Sequence, residues 1–393
     1  MRTDDAGDVI SEQGRKYLRL QMAADVGPIR LRNLIEHFGS IEAVLAASRA
    51  ELERVEGIGP HLSESVFRAG RDEAINGEVE RAAACGLRIC CTEDPDYPRP
   101  LLNISDPPIC LYVRGRLEPA DSVALAVVGT RRCSHYGREQ ALRFGELLGG
   151  AGFTVVSGLA RGIDSHAHRG ALSAGGRTLA VLGNGLGSVY PPEHASLAEE
   201  IARSGALLSE LPVDASPEAK NFPRRNRIIV GLALGVLIVE AGKRSGALIT
   251  ARLAAEYNRE GFAVPGRVDQ PEHTAGVHGL IRDGHAKLVT CLEDILDELG
   301  DVGEIMRRAE AERPGEESAE RPRGTAVSVG LSADERTVFD AVTGGVGDLE
   351  VLCESTGLAI ARIATAVTSL ELKGLFRRLP GNRLECRQRH QGG

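Results

Sequence analysis

No apolar run in the 393-residue sequence approaches 18 residues, so no membrane-spanning helix is expected. The stretch from Met1 to Gln13 is polar and acidic and lacks an apolar core, which argues against a secretory signal. The eight cysteines (Cys85, Cys90, Cys91, Cys110, Cys133, Cys291, Cys353 and Cys386) form no C-x-x-C pair, and no cysteine–histidine cluster has zinc spacing. Such cysteines read as reduced thiols of a cytoplasmic protein. No Gly-x4-Gly-Lys-Ser/Thr run is present, which removes the P-loop route to ATP hydrolysis. A basic excess is also missing. Net charge is −8 at pH 7 and the isoelectric point is about 5.8. Diffuse attraction to polyanions is therefore excluded, and any contact with nucleic acid must be local. No cofactor and no metal are expected.

What is present divides into four regions. A length of 393 residues suits two or three domains, and the 42% of hydrophobic residues allow a sizeable core. Residues 14–82 read as helical, with Leu31, Leu34, Ile35 and Phe38 at helical spacing. Val26-Gly27-Pro28 and Gly57-Ile58-Gly59-Pro60 punctuate them. A helix, then Gly-apolar-Gly, then a helix is the helix-hairpin-helix pattern, whose amides can hold a DNA phosphate; the alternative is a helical packing domain with ordinary turns. Residues 87–299 form the second region, beginning with strand and turn chemistry over 87–118. Residues 301–330, rich in Glu, Arg, Pro and Gly, read as a flexible linker. Residues 331–388 have the layout of a winged helix. Ser332 and Glu335 make a capping box, Asp348 caps a second helix, and Ile360–Leu372 form a third. A hairpin then runs through Leu375–Leu379, Pro380-Gly381-Asn382 and Arg383–Cys386. Acidic and basic residues balance there, which favours protein contact over DNA.

Between 121 and 299, short apolar runs alternate with helical segments: Val123–Val128, Thr154–Val156, Thr178–Leu182, Ala206–Leu208, Val236–Val239, Phe262–Val264 and Lys287–Val289. Runs without polar alternation suit strands buried on both faces. A helix from about Tyr136 to Ala151 is stopped by Gly152, and another from Ser245 to Glu260 by Gly261. The fold class is α/β: an extended Rossmann-like, doubly wound and mostly parallel sheet, flanked by a helical N-terminal domain and a winged-helix C-terminal domain.

In such a sheet, ligands bind at the carboxyl ends of the strands. The residues there are Gly129-Thr130-Arg131-Arg132, then Ser157-Gly158 leading to Arg161, then Gly183-Asn184-Gly185. Later come Phe222-Pro223-Arg224-Arg225-Asn226-Arg227 and Glu240-Ala241-Gly242-Lys243-Arg244-Ser245-Gly246. They are glycines, hydroxyls and arginines placed where helices begin. Helix N-termini attract phosphate, and glycine permits close approach. A mononucleotide needs one such cluster, so the surplus points to a polymer. The residues expected to bind DNA phosphates are Gly129, Thr130, Arg131, Ser157, Gly158, Arg161, Arg224, Arg225, Asn226, Arg227, Lys243, Ser245 and Gly246. Phe222 reads either as a stacking surface for a base or as a core residue.

Several enzymatic readings fail to close. Gly183-x-Gly185-x-Gly187 follows a late strand, and the second strand ends in Ser157, where a dinucleotide site needs an acidic residue. Ser157 lacks the preceding glycine of a nucleophile elbow. Asp164-x-His166-x-His168 resembles a metal fragment, but the simpler reading is that Asp164 caps a helix while His166 packs against the rim.

Taken together, these residues resemble the DNA-processing protein A family, also called Smf. The resemblance runs from about Asp96 to Val289. It is carried by Asp96-Tyr97-Pro98, Gly129-Thr130-Arg131, Tyr136-Gly137, Ser157-Gly158-Leu159-Ala160, Gly162-Ile163-Asp164, Tyr190-Pro191, Phe222-Pro223 with Arg225-Asn226-Arg227, Val239-Glu240-Ala241 and Ser245-Gly246-x-Leu248. It implies a homodimer that binds single-stranded DNA, protects it and loads a RecA-type recombinase during natural transformation, with no covalent chemistry. By this resemblance Arg131, Ser157, Gly158, Arg225, Asn226, Arg227, Ser245 and Gly246 fall on the phosphate-binding rim. His194, Val277-His278-Gly279 and His285 depart from the family's usual residues. The competing reading is a nucleotide-processing enzyme of the phosphoribohydrolase type. Its Pro-Gly-Gly-x-Gly-Thr signature is not met by the stretch 240–246.

Overall fold

In a computed structural model, the structure describes residues 9–23, 26–70 and 75–300. Beyond these it describes isolated positions between 302 and 386, including 333–343, 376–379 and 383–386. The chain separates into two compact units, 1–311 and 312–393.

The first unit opens with six helices: α1 (Glu12–Met22), α2 (Pro28–Phe38), α3 (Ile41–Ala46), α4 (Arg49–Leu52), α5 (Pro60–Ala69) and α6 (Ile75–Ala84). The two Gly-Pro turns act as helix starts. Gly27 and Gly59 are N-caps, and Pro28 and Pro60 take the first helical position, where a missing amide costs nothing. Between Gly57 and Gly59, Ile58 is buried in the helical core.

The rest of this unit is one nine-stranded sheet in the order β1-β2-β6-β5-β4-β3-β7-β8-β9. The strands are β1 (Arg88–Cys91), β2 (Cys110–Gly115), β3 (Ala124–Val128), β4 (Thr154–Ser157), β5 (Thr178–Val181), β6 (Ala206–Ser209), β7 (Gly235–Ile238), β8 (Glu260–Ala263) and β9 (Lys287–Leu288). From β6 across to β9 every pairing is parallel; β2 runs antiparallel to both neighbours. The seven apolar runs are the seven parallel strands. The inner strands β3 to β7 are buried along their whole length because helices cover both faces, while the edge strand β9 is exposed. Leu125 and Val127 of β3 point into a core with α7 (His135–Ala151) and α8 (Ile163–Ser173), while Ala124, Ala126 and Val128 meet α10 (Asn221–Leu232) and α11 (Ala247–Glu256). The helices α9 (Ala195–Ser204), α12 (Pro271–Arg282) and α13 (Leu292–Glu298) complete the layers.

Gly152 closes α7 in the left-handed region at φ 99°, as expected. The helix after β7 differs from expectation. It ends at Glu256, and Gly261 lies inside β8 rather than capping it. The chain reverses instead at Asn258, which takes the positive φ of 53°.

In the second unit, α14 (Ala333–Thr343) and an antiparallel hairpin, β10 (Phe376–Leu379) with β11 (Arg383–Cys386), are described. Phe376 and Phe339 stack at 5.6 Å within a small core of Val338, Leu352, Ile363, Val367 and Leu370. Ser332, Asp348 and the turn at 380–382 lie outside the described residues, as does much of the third expected helix.

Candidate nucleic-acid interface

The strand order reverses at β3. Its chain neighbour β4 pairs on one side, and β7 pairs on the other. A crevice outside the carboxyl ends is expected at such a switch point. A cleft of about 660 Å³ opens there. Gly129–Arg132 line it after β3, Ser245–Ala247 with Ile249 and Thr250 line it at the start of α11, and Phe222, Pro223, Arg225 and Asn226 of α10 form its third side. Three helices begin at this rim without a side-chain cap, at Gly162, Lys220 and Gly246. Several of their first amides are already held, Ile163 by the Thr130 carbonyl, Asn221 by the Glu218 carbonyl and Ala247 by the Ser245 hydroxyl, so it is their positive dipole ends that face the cleft.

The cleft therefore gathers Gly129, Thr130, Arg131, Phe222, Arg225, Asn226, Ser245 and Gly246 from the expected set. Asn226 ties α10 to α11, its amide donating to Thr250 Oγ1 at 3.0 Å. The Arg131 guanidinium lies 4.9 Å from the centre of the Phe222 ring, and Tyr190 approaches the same ring at 5.8 Å. Phe222 rests on Gly183 and keeps part of its surface exposed, so it has both a packed edge and a cleft-facing side.

Other expected residues lie elsewhere, each for a physical reason. Ser157 is fully buried, and its hydroxyl donates to the Val127 carbonyl at 2.6 Å, bracing β4 against β3. Gly158 is covered by the Arg225 guanidinium. Arg225 itself is buried at the floor, where its Nη1 donates to the carbonyls of Gly158 and Val181. Burial lowers its pKa to about 10, against the pull of Asp164. Its Nε has no hydrogen-bond partner among the described residues. Arg227 is also buried, paired with Glu210 and Asp106. Arg161 is paired with Glu193 on the surface. Arg224 leaves the cleft and lines a groove of about 410 Å³ beside Gly27 and Pro28. Ser157, Gly158 and Arg227 are thus buried beneath the rim, each against a partner within the protein.

Asp164 belongs to that layer. Its carboxylate accepts the amides of Gly158 at 3.1 Å and Ala160 at 3.4 Å, so it orders the loop after β4 rather than capping α8. Burial raises its pKa, opposed by Arg225. His166 Nδ1 contacts the Gly162 carbonyl at 2.8 Å. His168 is buried against Thr178, and burial pulls its pKa down to about 3. Among the described residues, no group of His, Cys, Asp and Glu is arranged to hold a metal, and no helix is long and apolar enough to cross a membrane.

Five exposed cations follow the strand ends: Arg131 and Arg132, which line the cleft, and Arg224, Lys243 and Arg244, which lie outside its lining. None of them forms an ion pair among the described residues. On a chain of net charge −8, these five cations are a local exception to the overall acidic balance. Neither Tyr190 nor Glu240 is among the site residues expected from the sequence. For Glu240 the available signal is an acidic residue directly after an apolar run.

This is a Rossmann-like protein whose switch-point crevice carries neither a dinucleotide nor a P-loop fingerprint. The chain belongs to the DNA recombination-mediator protein A family, known as DprA or Smf. That family's profile matches residues 88–300, and the DprA winged helix domain matches 320–382. The Smf protein of Synechocystis is 35% identical over 94% of this chain and 98% of its own length. The Smf protein of Escherichia coli is 43% identical over 74% and 75% respectively. The crystal structure of DNA processing protein A from Streptococcus pneumoniae aligns with a TM-score of 0.63 at 31% identity, covering 72% of this chain and 97% of that one.

Proposed function

We propose that the cleft holds the sugar–phosphate backbone of single-stranded DNA, and that the protein serves as a cytoplasmic, homodimeric mediator that delivers the strand to a RecA-type recombinase during natural transformation. The observation that carries this reading is the convergence of Gly129–Arg132, Phe222 and Ser245–Gly246 on one crevice, with the exposed guanidinium groups of Arg131 and Arg132 in its lining. The positive ends of helices and the arginine forks attract phosphate, and Phe222 with Tyr190 offers a face for unstacked bases, which a duplex keeps inside its stack. No nucleophile–base pair lines the cleft: its one carboxylate, Asp164, is spent on two amides. The protein acts by binding alone. The division into helical (14–82), Rossmann-like (87–299), linker (301–330) and winged-helix (331–388) parts belongs to the same proposal.

The test compares anisotropy titrations of a labelled oligothymidylate and a duplex of equal length. It then adds a RecA-type recombinase to strand coated with single-strand-binding protein. Preference for the single strand and faster recombinase assembly are expected. Equal affinity for the duplex, or steady release of a base from nucleoside monophosphates, overturns the reading.

A further inference from the structure

Glu240 stands two residues beyond the end of β7 and is 2% exposed, yet the phosphate-binding reading gives it no part. Its side chain crosses to the loop before α7. Oε1 accepts the Ser134 hydroxyl at 2.6 Å, and Oε2 accepts the Ser134 amide at 2.8 Å. Its main-chain oxygen accepts the Thr130 amide at 2.8 Å. One residue thus pins both ends of the loop 130–134, which carries Arg131 and Arg132. No arginine or lysine pairs with this carboxylate among the described residues; His273 Nδ1 stands 3.9 Å away. A buried carboxylate is costly, and here the two Ser134 donors and the positive end of α7 compensate it. The first turn of α7 is shaped for it: a Cβ at Gly137 would lie 2.5 Å from Oε2.

The geometry points to Glu240 as a resident anion with two effects. It is a positioning residue that aims Arg131 and Arg132 at the bound strand. It also fills the end of the first Rossmann helix, where this fold class receives a nucleotide phosphate, so the rim is left to a polymer. The first effect rests on the strand-binding reading; the anion site itself does not.

The test uses the full chain with Glu240→Gln, which keeps the shape and removes the charge, and Glu240→Ala, which vacates the space. Glu240→Gln is expected to weaken oligothymidylate binding about tenfold and to make the salt slope shallower by roughly 0.7 for each phosphate that the rim no longer holds. Glu240→Ala is expected to weaken it further and to regain affinity and thermal stability in sodium formate relative to sodium chloride at equal ionic strength. The wild type and Glu240→Gln should not respond to formate. A Glu240→Gln protein with wild-type affinity and slope overturns the inference, as does a folded Glu240→Ala protein indifferent to formate. If Glu240→Ala does not fold, Glu240→Gln decides. A wild type that binds no oligonucleotide defeats the strand-binding reading instead, and formate-dependent stabilisation of Glu240→Ala then still reports on the anion site.

Discussion

The Arg225 guanidinium donates from Nη1 to the Gly158 carbonyl at 2.8 Å and occupies the space where a side chain at position 158 would begin. Because it also reaches the Val181 carbonyl, one buried cation closes the ends of β4 and β5 and faces Asp164. The phosphate-facing rim stands on this brace.

The brace predicts a stability phenotype. A Cβ at Gly158 would lie 2.2 Å from Nη1, so Gly158→Ala should cost about 1–3 kcal/mol through overpacking. Arg225→Ala should cost about 3–5 kcal/mol, since it leaves Asp164 without its countercharge and two carbonyls unpaired. Urea denaturation measures both. Wherever Arg225→Ala remains folded, its salt slope for DNA should match the wild type.

Arg227 is expected to behave similarly. Its guanidinium pairs with Glu210 and Asp106, so Arg227→Ala should cost about 3 kcal/mol. A double-mutant cycle with Glu210→Ala should show strong coupling. Additive losses would disconnect the pair.

Phe222 should act on bases rather than on phosphates. Phe222→Leu retains packing on Gly183 and loses the ring beside Arg131 and Tyr190. Binding of oligothymidylate should weaken by about 1–3 kcal/mol, with the salt slope unchanged. An oligonucleotide of abasic sites should show no difference between the two proteins.

The sheet is legible in the sequence because parallel strands buried on both faces leave uninterrupted apolar runs, as in Val123–Val128, and because Gly152 marks a helix end by its backbone alone. What the sequence does not disclose is which arginines are exposed. Arg224, Arg225 and Arg227 are near neighbours in sequence, yet one faces a separate groove, one braces the floor and one is locked to Asp106 and Glu210. Helical phase and distant partners decide that, and neither is local. The helix end at Glu256 is hidden for a related reason: Asn258, not Gly261, supplies the left-handed residue. Ser157 reads as a rim hydroxyl until the Val127 carbonyl is found beside it.

His168 supplies a pH dependence. Its pKa falls to about 3 in the folded protein through burial, from near 6.5 when unfolded. Between these values the unfolded chain binds the extra proton, so this contribution is complete above pH 6.5 and is lost as pH falls towards 3, at up to ~1.4 kcal/mol per unit. His168→Asn keeps a donor for Thr178 and removes the titration. The difference between wild-type and variant stability should therefore narrow as pH drops through this window. A constant difference would remove His168 from the account.

The most direct test of the central claim is the salt dependence of oligothymidylate affinity for the wild type and for Arg131→Ala. Arg131 is exposed beside Phe222 in the cleft and has no ion-pair partner among the described residues. Four to six phosphates on the rim predict a slope of log affinity against log salt of roughly −3 to −4 for the wild type, and about 0.7 shallower for Arg131→Ala at unchanged stability. A wild-type slope near zero, or an Arg131→Ala slope equal to the wild type's, contradicts it.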